Sequence, residues 1–375
     1  MMYKKANQEK LDFIRKGLKD YSSKRNYDFG PESRENISNL SRYISHRIIN
    51  EYDLIREILS EYNLQKVEKF IQEIFWRVYW KGWLEHRPEV WKDFVNSSPT
   101  YSEEDYIKAI NGETGIDCFD DWVKEIKTEN YLHNHTRMWF ASIWIFTLNL
   151  PWELGARFFM KHLFDGDAAS NTLSWRWVAG IQTQGKNYLA RESNIRKFTN
   201  QRYINSTLNE NALPLENPKI YSLQEVRYLH TKQKNKNLVL FESDMNINER
   251  NSFFENYENI FLVLLENKKR NIELDDKVLN FKKTLQLAFA NEISNSYLID
   301  GDTFSTFNEE FDVMYPSVGE NIDFLNREKD IDKFHFIGSK EDIFCWQFSK
   351  KGFFNFKKNI PEVINYLLHE DDLFN

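Results

Sequence analysis

The sequence predicts a mainly α protein, with an all-helical unit over residues 1–235 followed by a small α/β layer unit over 236–375. Three observations carry this expectation. Apolar residues recur three and four apart through the first part of the chain. The texture then changes across the polar stretch Thr231-Lys-Gln-Lys-Asn-Lys-Asn237 to short continuous apolar runs. Charge changes sign at the same place: residues 1–236 carry 35 Lys+Arg against 31 Asp+Glu, whereas 237–375 carry 15 against 26. Such asymmetry between halves marks a change of unit.

Taken in order, Leu54-Ile55-Ile58-Leu59 and Phe70-Ile71-Ile74-Phe75-Val78 have helical spacing, with Asp53 as the N-cap expected for the first. Asn96-Ser-Ser-Pro99 and Asn111-Gly112 with Gly115 predict loops. One long helix is expected from Phe119 to Leu148, stopped by Pro151, and another from Trp152 to Leu163 before Asp165-Gly166-Asp167. Beyond the polar stretch, Leu238–Phe241, Ile260–Leu265, Tyr297–Ile299 and Phe334–Ile337 read as strands, and Leu274–Ile293 as a helix between them.

Composition excludes several classes. The chain has 375 residues, 41% hydrophobic and 29% charged, enough for a sizeable core. Its only cysteines, Cys118 and Cys345, build neither a disulfide framework nor a thiolate metal cluster, so no metal is expected. The most apolar stretch, Met138 to Trp152, is too short and interrupted for a membrane span, and no cleavable leader is read at the N-terminus. A monomer in the reducing cytoplasm is expected. A net charge of −7 argues against nucleic acid, but the positive balance lies wholly in the first half, so only that half suits phosphates. Its densest basic run is Lys186, Arg191, Arg196, Lys197 and Arg202, which equally fits a solvated helix face.

The chemistry concentrates in Leu163-Phe-Asp165-Gly-Asp167-Ala-Ala-Ser-Asn171 and Trp175-Arg-Trp177. Singly, these residues have plain explanations: the acids cap a helix, Asn171 holds a turn, the indoles fill a core. Together with Gly112-Glu-Thr-Gly115, Phe119-Asp120, Leu132-His-Asn134-His-Thr-Arg137-Met138 and Phe158-Phe159, in that order and spacing, the stretch resembles the flavin-binding domain of DNA photolyases and cryptochromes. Upstream, Ser38-Asn-Leu40-Ser41-x-Tyr43 resembles that family's phosphate-contacting segment, and Phe70-Ile-Gln-Glu73-Ile-Phe-Trp76-Arg77 its W-x-x-E-x-x-W-R helix. The resemblance spans about residues 20–205.

It implies a photolyase-type FAD-binding domain followed by a Rossmann-like α/β domain, FAD as cofactor and UV-damaged DNA, single- or double-stranded, as partner. Ser38, Leu40 and Ser41 would meet the pyrophosphate, with Arg77 adding charge-assisted bonds. Arg137 and Asp165 would form a buried pair beside the isoalloxazine. Asp167 would accept from the flavin's polar edge, and Asn171 would sit against N5. Glu73, Trp76, Asn134, Met138 and Trp177 match positions lining the cavity for a cyclobutane pyrimidine dimer; members acting on (6-4) photoproducts would show histidines at Asn134 and Met138. Two indoles can hold an extruded lesion by stacking, worth about 1–3 kcal/mol per base. Trp175 and, upstream of it, Trp152 resemble two members of the family's electron-transfer chain, with Trp139, Trp144, Trp122 and Trp91 as candidates for a variant route. The activity implied is light-driven dimer repair; a blue-light receptor without repair is the alternative.

Departures matter too. Arg42 stands where a proline is usual, Phe70 for a Trp, Leu173 and Ser174 for glycines, and His135 for a DNA-contacting Arg, whose loss Arg176 or the 186–202 run would offset. The family's α/β antenna domain ordinarily comes first. Here Leu238–Ile247 resembles its opening strand, which implies a reduced antenna-like domain at 236–375, too acidic to touch DNA. Trp346–Phe356 is expected to dock it on the helical half.

Overall fold

The computed structural model describes every residue except 205–206, 217–218, 249, 332–333 and 370–375. Its centre is the helix Leu64–Glu85, whose buried positions Val67, Phe70, Ile71, Ile74, Phe75 and Val78 follow the spacing read above. The preceding helix, Glu51–Glu61, is capped by Asn50, whose side chain accepts from the backbone of Tyr52 and Asp53. Asp53 is therefore in the first turn and not the cap; an Asn reaching two and three residues ahead does the same work.

The single helix expected over 119–148 is broken. Asp117–Glu129 ends at Asn130, which is left-handed (φ 52°) and donates its amide to the carbonyl of His162 at 2.8 Å. A new helix, Asn134–Ser142, then starts behind His133, whose ring accepts from the His135 backbone, and runs into a π-helical turn at Ile143–Thr147. Asn tolerates the left-handed conformation better than most residues, so the break is local chemistry that apolar periodicity does not register. The helices Trp152–His162 and Ala168–Val178 pack face to face. An added Cβ on Gly155 would lie 2.2 Å from the Trp175 ring, so only glycine permits this approach.

The later part contains a five-stranded parallel sheet. Its strands are β1 (Asn237–Phe241), β2 (Asn259–Leu264), β3 (Ser296–Asp300), β4 (Asp312–Met314) and β5 (His335–Ile337), in the order β3-β2-β1-β4-β5. In the central ladder Leu238 is opposite Ile260 and Leu240 opposite Leu262, fully buried apolar runs as parallel sheets require. β4 was not anticipated. Its short run carries Asp312, buried because its carboxylate accepts from the Lys234 and Asn235 backbone and from Tyr257 Oη at 2.9 Å. Helix Asp276–Glu292 lies against β2 and β3, close to the span expected.

After the sheet, helices Lys340–Trp346, Phe353–Lys358 and Ile360–His369 turn back onto Glu51–Glu61 and Leu64–Glu85. Gly82 allows the contact, since a Cβ there would come within 2.6 Å of Ser349 Oγ and the Trp346 ring. Phe353 stacks on Trp76 at 3.6 Å, and Tyr79 Oη donates to the Lys351 carbonyl at 2.9 Å. Among the described residues no helix is long and apolar enough to cross a membrane.

Buried charges join the two parts. Arg47, itself left-handed (φ 53°), donates through Nη2 to both oxygens of Asp342 at 2.7 Å, through Nη1 to Asp244 at 3.3 Å and through Nε to Glu51 at 3.2 Å. Burial opposes ionisation of Glu51, yet Arg47, Lys81 and Arg77 hold its carboxyl down to about 2. Glu85 behaves oppositely. Burial pushes it up to about 7, against hydrogen bonds from the Val318 backbone at 2.9 Å and Tyr315 Oη at 2.7 Å. A carboxyl raised from 4.5 in the unfolded chain binds its proton more tightly when folded, so its contribution is complete below 4.5 and fades as pH rises through 7. Denaturation midpoints should therefore fall between pH 5 and 8 more steeply for the native chain than for Glu85→Gln, by on the order of 3 kcal/mol. Parallel pH profiles of the two would sink this assignment.

Candidate functional site

Three helices each turn one face toward a cavity of about 500 Å³. Leu64–Glu85 supplies Phe70, Glu73, Trp76, Arg77 and Trp80; Asn134–Ser142 supplies Asn134, Arg137, Met138 and Ala141; Ala168–Val178 supplies Ser170, Asn171, Ser174, Trp175, Trp177 and Val178. Steps of three and four along each helix place these side chains on a common face. Ser38, Leu40 and Ser41 also line it, as do Asp165 and Asp167 from the loop before the last helix.

Of the residues read from sequence as site residues, all but one line this cavity. The exception is Trp152. It borders a second pocket with Phe94, Arg176 and Tyr221, and stacks on Phe94 at 5.5 Å. Trp175 instead meets Trp144 edge to face at 6.2 Å. Pro151 starts the Trp152–His162 helix with Trp152 in its first turn, beside the helix Glu89–Val95 that carries Phe94.

Arg137 Nη2 donates to Asp165 Oδ2 at 2.9 Å, and its Nε to the Leu132 carbonyl at 2.8 Å. Burial works against the Arg137 charge, but Asp165 raises its pKa further. Asp167 N-caps its helix, accepting from the Ser170 backbone at 2.9 Å, and also accepts from Arg77 Nη1. Burial opposes its ionisation, and Arg77 overrides that. Arg77 gives its other donors to Glu51 at 3.1 Å and the Ser45 carbonyl at 3.3 Å. Arg77 thus lines the cavity while bonded to two carboxylates, one of which, Glu51, it shares with Arg47 and Lys81. Asn171 Nδ2 donates to the Ala156 carbonyl at 2.8 Å, which fixes the amide plane. Glu73 Oε1 accepts from Arg25 Nη1 at 2.6 Å, while burial raises the carboxyl's pKa.

Of the basic residues expected to offset the missing DNA-contacting Arg, Lys186, Arg191, Arg196 and Lys197 are exposed, whereas Arg176 and Arg202 are already engaged. Arg176 is buried, donating to Gln182 at 3.3 Å, and Arg202 is held by Asp28 at 3.1 Å. His135 in the same position lines the cavity, with Nδ1 toward the Asn26 carbonyl at 3.0 Å and Nε2 toward Tyr188 Oη at 3.2 Å. His133 is a buried packing histidine, pushed down to about 4 by burial against the pull of Asp28. The Gly112-Glu-Thr-Gly115 motif is structural: Asp120 accepts from Thr114 Oγ1 at 2.7 Å and from the Gly115 backbone at 3.0 Å.

Sequence reasoning missed Trp80, Ser170 and Ser174, which extend the 73–76–77 and 167–171 faces by helical steps and were legible there. It also missed Tyr21, Arg25 and Asn26, which reach the cavity from the N-terminal helical segment and carry no local signal.

Ser41 Oγ and Asp165 Oδ1 are buried at this cavity without a hydrogen-bond partner in the protein. Orphaned groups of this kind are rare in folded chains unless a ligand or water meets them. An unpartnered hydroxyl and an unpartnered carboxylate oxygen on a cavity that is also lined by aromatic rings fit a cofactor with polar groups and a flat ring. The fold and site thus define a helical protein built around a dinucleotide cofactor. Residues 70–214 match the FAD binding domain of DNA photolyase, and over this segment the chain is similar to the photolyase–cryptochrome family. Its cofactor is FAD.

Among curated relatives, the deoxyribodipyrimidine photo-lyase of Alkalihalophilus pseudofirmus is 26% identical over 260 residues, covering 62% of this chain and 53% of its own. That of Vibrio cholerae is 26% identical, covering 47% and 39%, and that of Streptomyces griseus 31%, covering 42% and 38%. The chain thus spans between two-fifths and about half the length of these relatives. Similar solved structures include a bacterial class III photolyase from Agrobacterium tumefaciens (25% identity, TM-score 0.46, 53% of this chain and 42% of that one) and a Synechocystis cryptochrome (20%, 0.48, 53% and 43%).

Proposed function

We propose that this chain is a deoxyribodipyrimidine photo-lyase, splitting cyclobutane pyrimidine dimers in DNA with light. The observation that carries the reading is one cavity bordered jointly by Arg137, Asp165 and Asn171 and by Glu73, Trp76, Asn134, Met138 and Trp177. When bound, reduced FAD supplies the photo-excited electron for bond cleavage. The chain's own residues do the rest. Ser38, Leu40 and Ser41 receive phosphates, Ser41 with its unpartnered hydroxyl. The Arg137–Asp165 pair and Asp167 hold the polar ring edge, and Asn171 presents a fixed, uncharged amide. Trp76 and Trp177 flank an extruded lesion, while Glu73 and Asn134 offer hydrogen bonds to its edges. In this reading residues 1–235 are the catalytic unit and 236–375 an antenna-like unit.

Glu73→Ala removes one charge-assisted hydrogen bond, worth about 1.5–3 kcal/mol, so repair should slow by roughly 10- to 100-fold with FAD still bound. The assay is loss of dimers from an illuminated oligonucleotide, single- and double-stranded, with flavin absorbance recorded in parallel. Unchanged repair by this variant would remove the pocket assignment.

A second reading, a blue-light receptor without repair, is favoured by two contacts. Arg25 already engages Glu73, and Phe353 already covers one face of Trp76. Bound flavin with no dimer loss on either substrate selects this reading.

A further inference from the structure

We propose that Phe281 and His46 are positioning residues for the flavin: they carry the Asp165–Asp167 loop on the sheet-bearing part of the chain. Residues 236–375 are in that case a buttress of the cofactor site. The proposal rests on the placement of the flavin's ring edge at Asp165 and Asp167, and holds for repair enzyme and receptor alike.

Of residues 163–167, Leu163, Asp165, Gly166 and Asp167 line the cavity, and Phe164 does not. Its ring turns instead to helix Asp276–Glu292 and stacks on Phe281, centroids 4.4 Å apart and planes 21° from parallel. The Phe164 backbone N–H donates to the Asn130 carbonyl at 3.0 Å, and its carbonyl meets His46 Nε2, also at 3.0 Å. Ring, donor and acceptor of this residue are thus all taken outside the loop. The position of Asp165, the next residue, follows that of Phe164.

His46 is buried, five residues past the cavity-lining Ser41, and joins three elements. Its Nε2 faces the flavin-edge loop, its Nδ1 the Glu242 carbonyl at the exit of β1 at 2.9 Å, and its own carbonyl accepts from the Met245 backbone at 2.8 Å. The ring also lies edge to face on Phe281 at 5.7 Å. Both ring nitrogens meet carbonyls, which only accept, and a neutral imidazole has one N–H to give. Burial, with Lys282 adding to it, pushes the pKa down to about 4 against the pull of Glu242. At neutral pH the ring therefore secures one carbonyl at a time, and the Phe164–Phe281 stack supplies the constant hold. Adjacent contacts run the same way. Lys282 donates to Glu242 at 3.0 Å, and an added Cβ on Gly319 would lie 2.9 Å from that of Ala168.

The test uses the full chain, with FAD affinity from equilibrium dialysis and stability from urea denaturation without added FAD. Phe281→Ala should weaken FAD retention roughly 3- to 10-fold, the scale of one aromatic pair. His46→Ala should act by a similar factor, the scale of one hydrogen bond. Leu287→Ala, exposed on the same helix, should change neither quantity. The decisive measurement is coupling: with Asp165→Asn already in place, Phe281→Ala should weaken FAD less than it does in the native chain, because both changes act on one contact. His46→Ala read in the same cycle keeps the test decisive where Phe281→Ala misfolds. Equal losses in both backgrounds overturn the proposal, as does native FAD affinity in the folded variants or a loss that Leu287→Ala reproduces. Unchanged affinity in Arg137→Ala would instead overturn the placement of the ring edge, and absence of FAD from the native chain the cofactor assignment.

Discussion

Replacing Arg47 with alanine should cost about 3–5 kcal/mol of stability, the range for removing one partner of a buried ion pair. Three carboxylates, Asp342, Asp244 and Glu51, face this guanidinium, all buried. Without it, the Asp342 carboxylate retains, among the described residues, the hydrogen bond from Tyr52 Oη at 2.7 Å, while Glu51 keeps Arg77 and Lys81. The acids cannot all stay ionised that close together in a poorly solvated space, so part of the cost becomes proton uptake. The loss should consequently be smaller at pH 5 than at pH 8. Arg47 belongs to the helical part, whereas Asp244 and Asp342 lie after β1 and after β5. Its removal therefore weakens the junction between the two parts, which other contacts such as Phe353 on Trp76 and Tyr315 on Glu85 still hold. Urea denaturation followed by tryptophan fluorescence measures the effect; a midpoint shift equivalent to less than about 1 kcal/mol, the scale of an exposed pair, would show that water reaches the cluster.

The network also explains why the later part of the fold was only half legible. β1 and β2 were recognisable because central parallel strands buried on both faces are continuous apolar runs, and the edge strands β3 and β5 because each still carries a short apolar run. β4 was not, because Asp312 interrupts its run, and that Asp is satisfied by Lys234, Asn235 and Tyr257, residues far away in sequence. The division into a helical first part and a later sheet followed from texture and charge. The return of residues 340–369 to the helical layer depends on Gly82 and Arg47 meeting partners some 260 to 295 positions onward, which no local pattern encodes.

The cavity was more legible than the fold around it. Its helical faces repeat every three or four residues, and the Asp165-Gly-Asp167, Asn171 and Trp175 spacing places carboxylates, amide and indole on one wall. What resisted reading was orientation. Arg77 sits at the cavity yet spends its donors on Glu51, Asp167 and Ser45. Trp152 precedes Trp175 in the expected manner yet faces the other pocket. Residue type and spacing assign a side chain to a neighbourhood; its partner is decided by every element that packs there.

That distinction makes Arg137 the more informative position at the site itself. Arg137→Ala leaves Asp165 with neither oxygen partnered inside the protein, since Oδ1 already lacks a donor and Oδ2 relies on the guanidinium. The Arg137 side chain is 24% exposed, so water recovers part of the loss and the cost belongs near the lower end of the roughly 3–5 kcal/mol range. Because the pair borders the cavity, most of that cost should appear as weakened flavin retention, on the order of 100-fold in dissociation constant for 3 kcal/mol. Global unfolding should move much less than in Arg47→Ala, which touches the junction and not the cavity. Equilibrium dialysis of FAD against both variants separates the two effects. Equal flavin affinity in Arg137→Ala and the native chain would mean that the cofactor does not lie against this pair, and the proposed orientation of its ring would have to be abandoned.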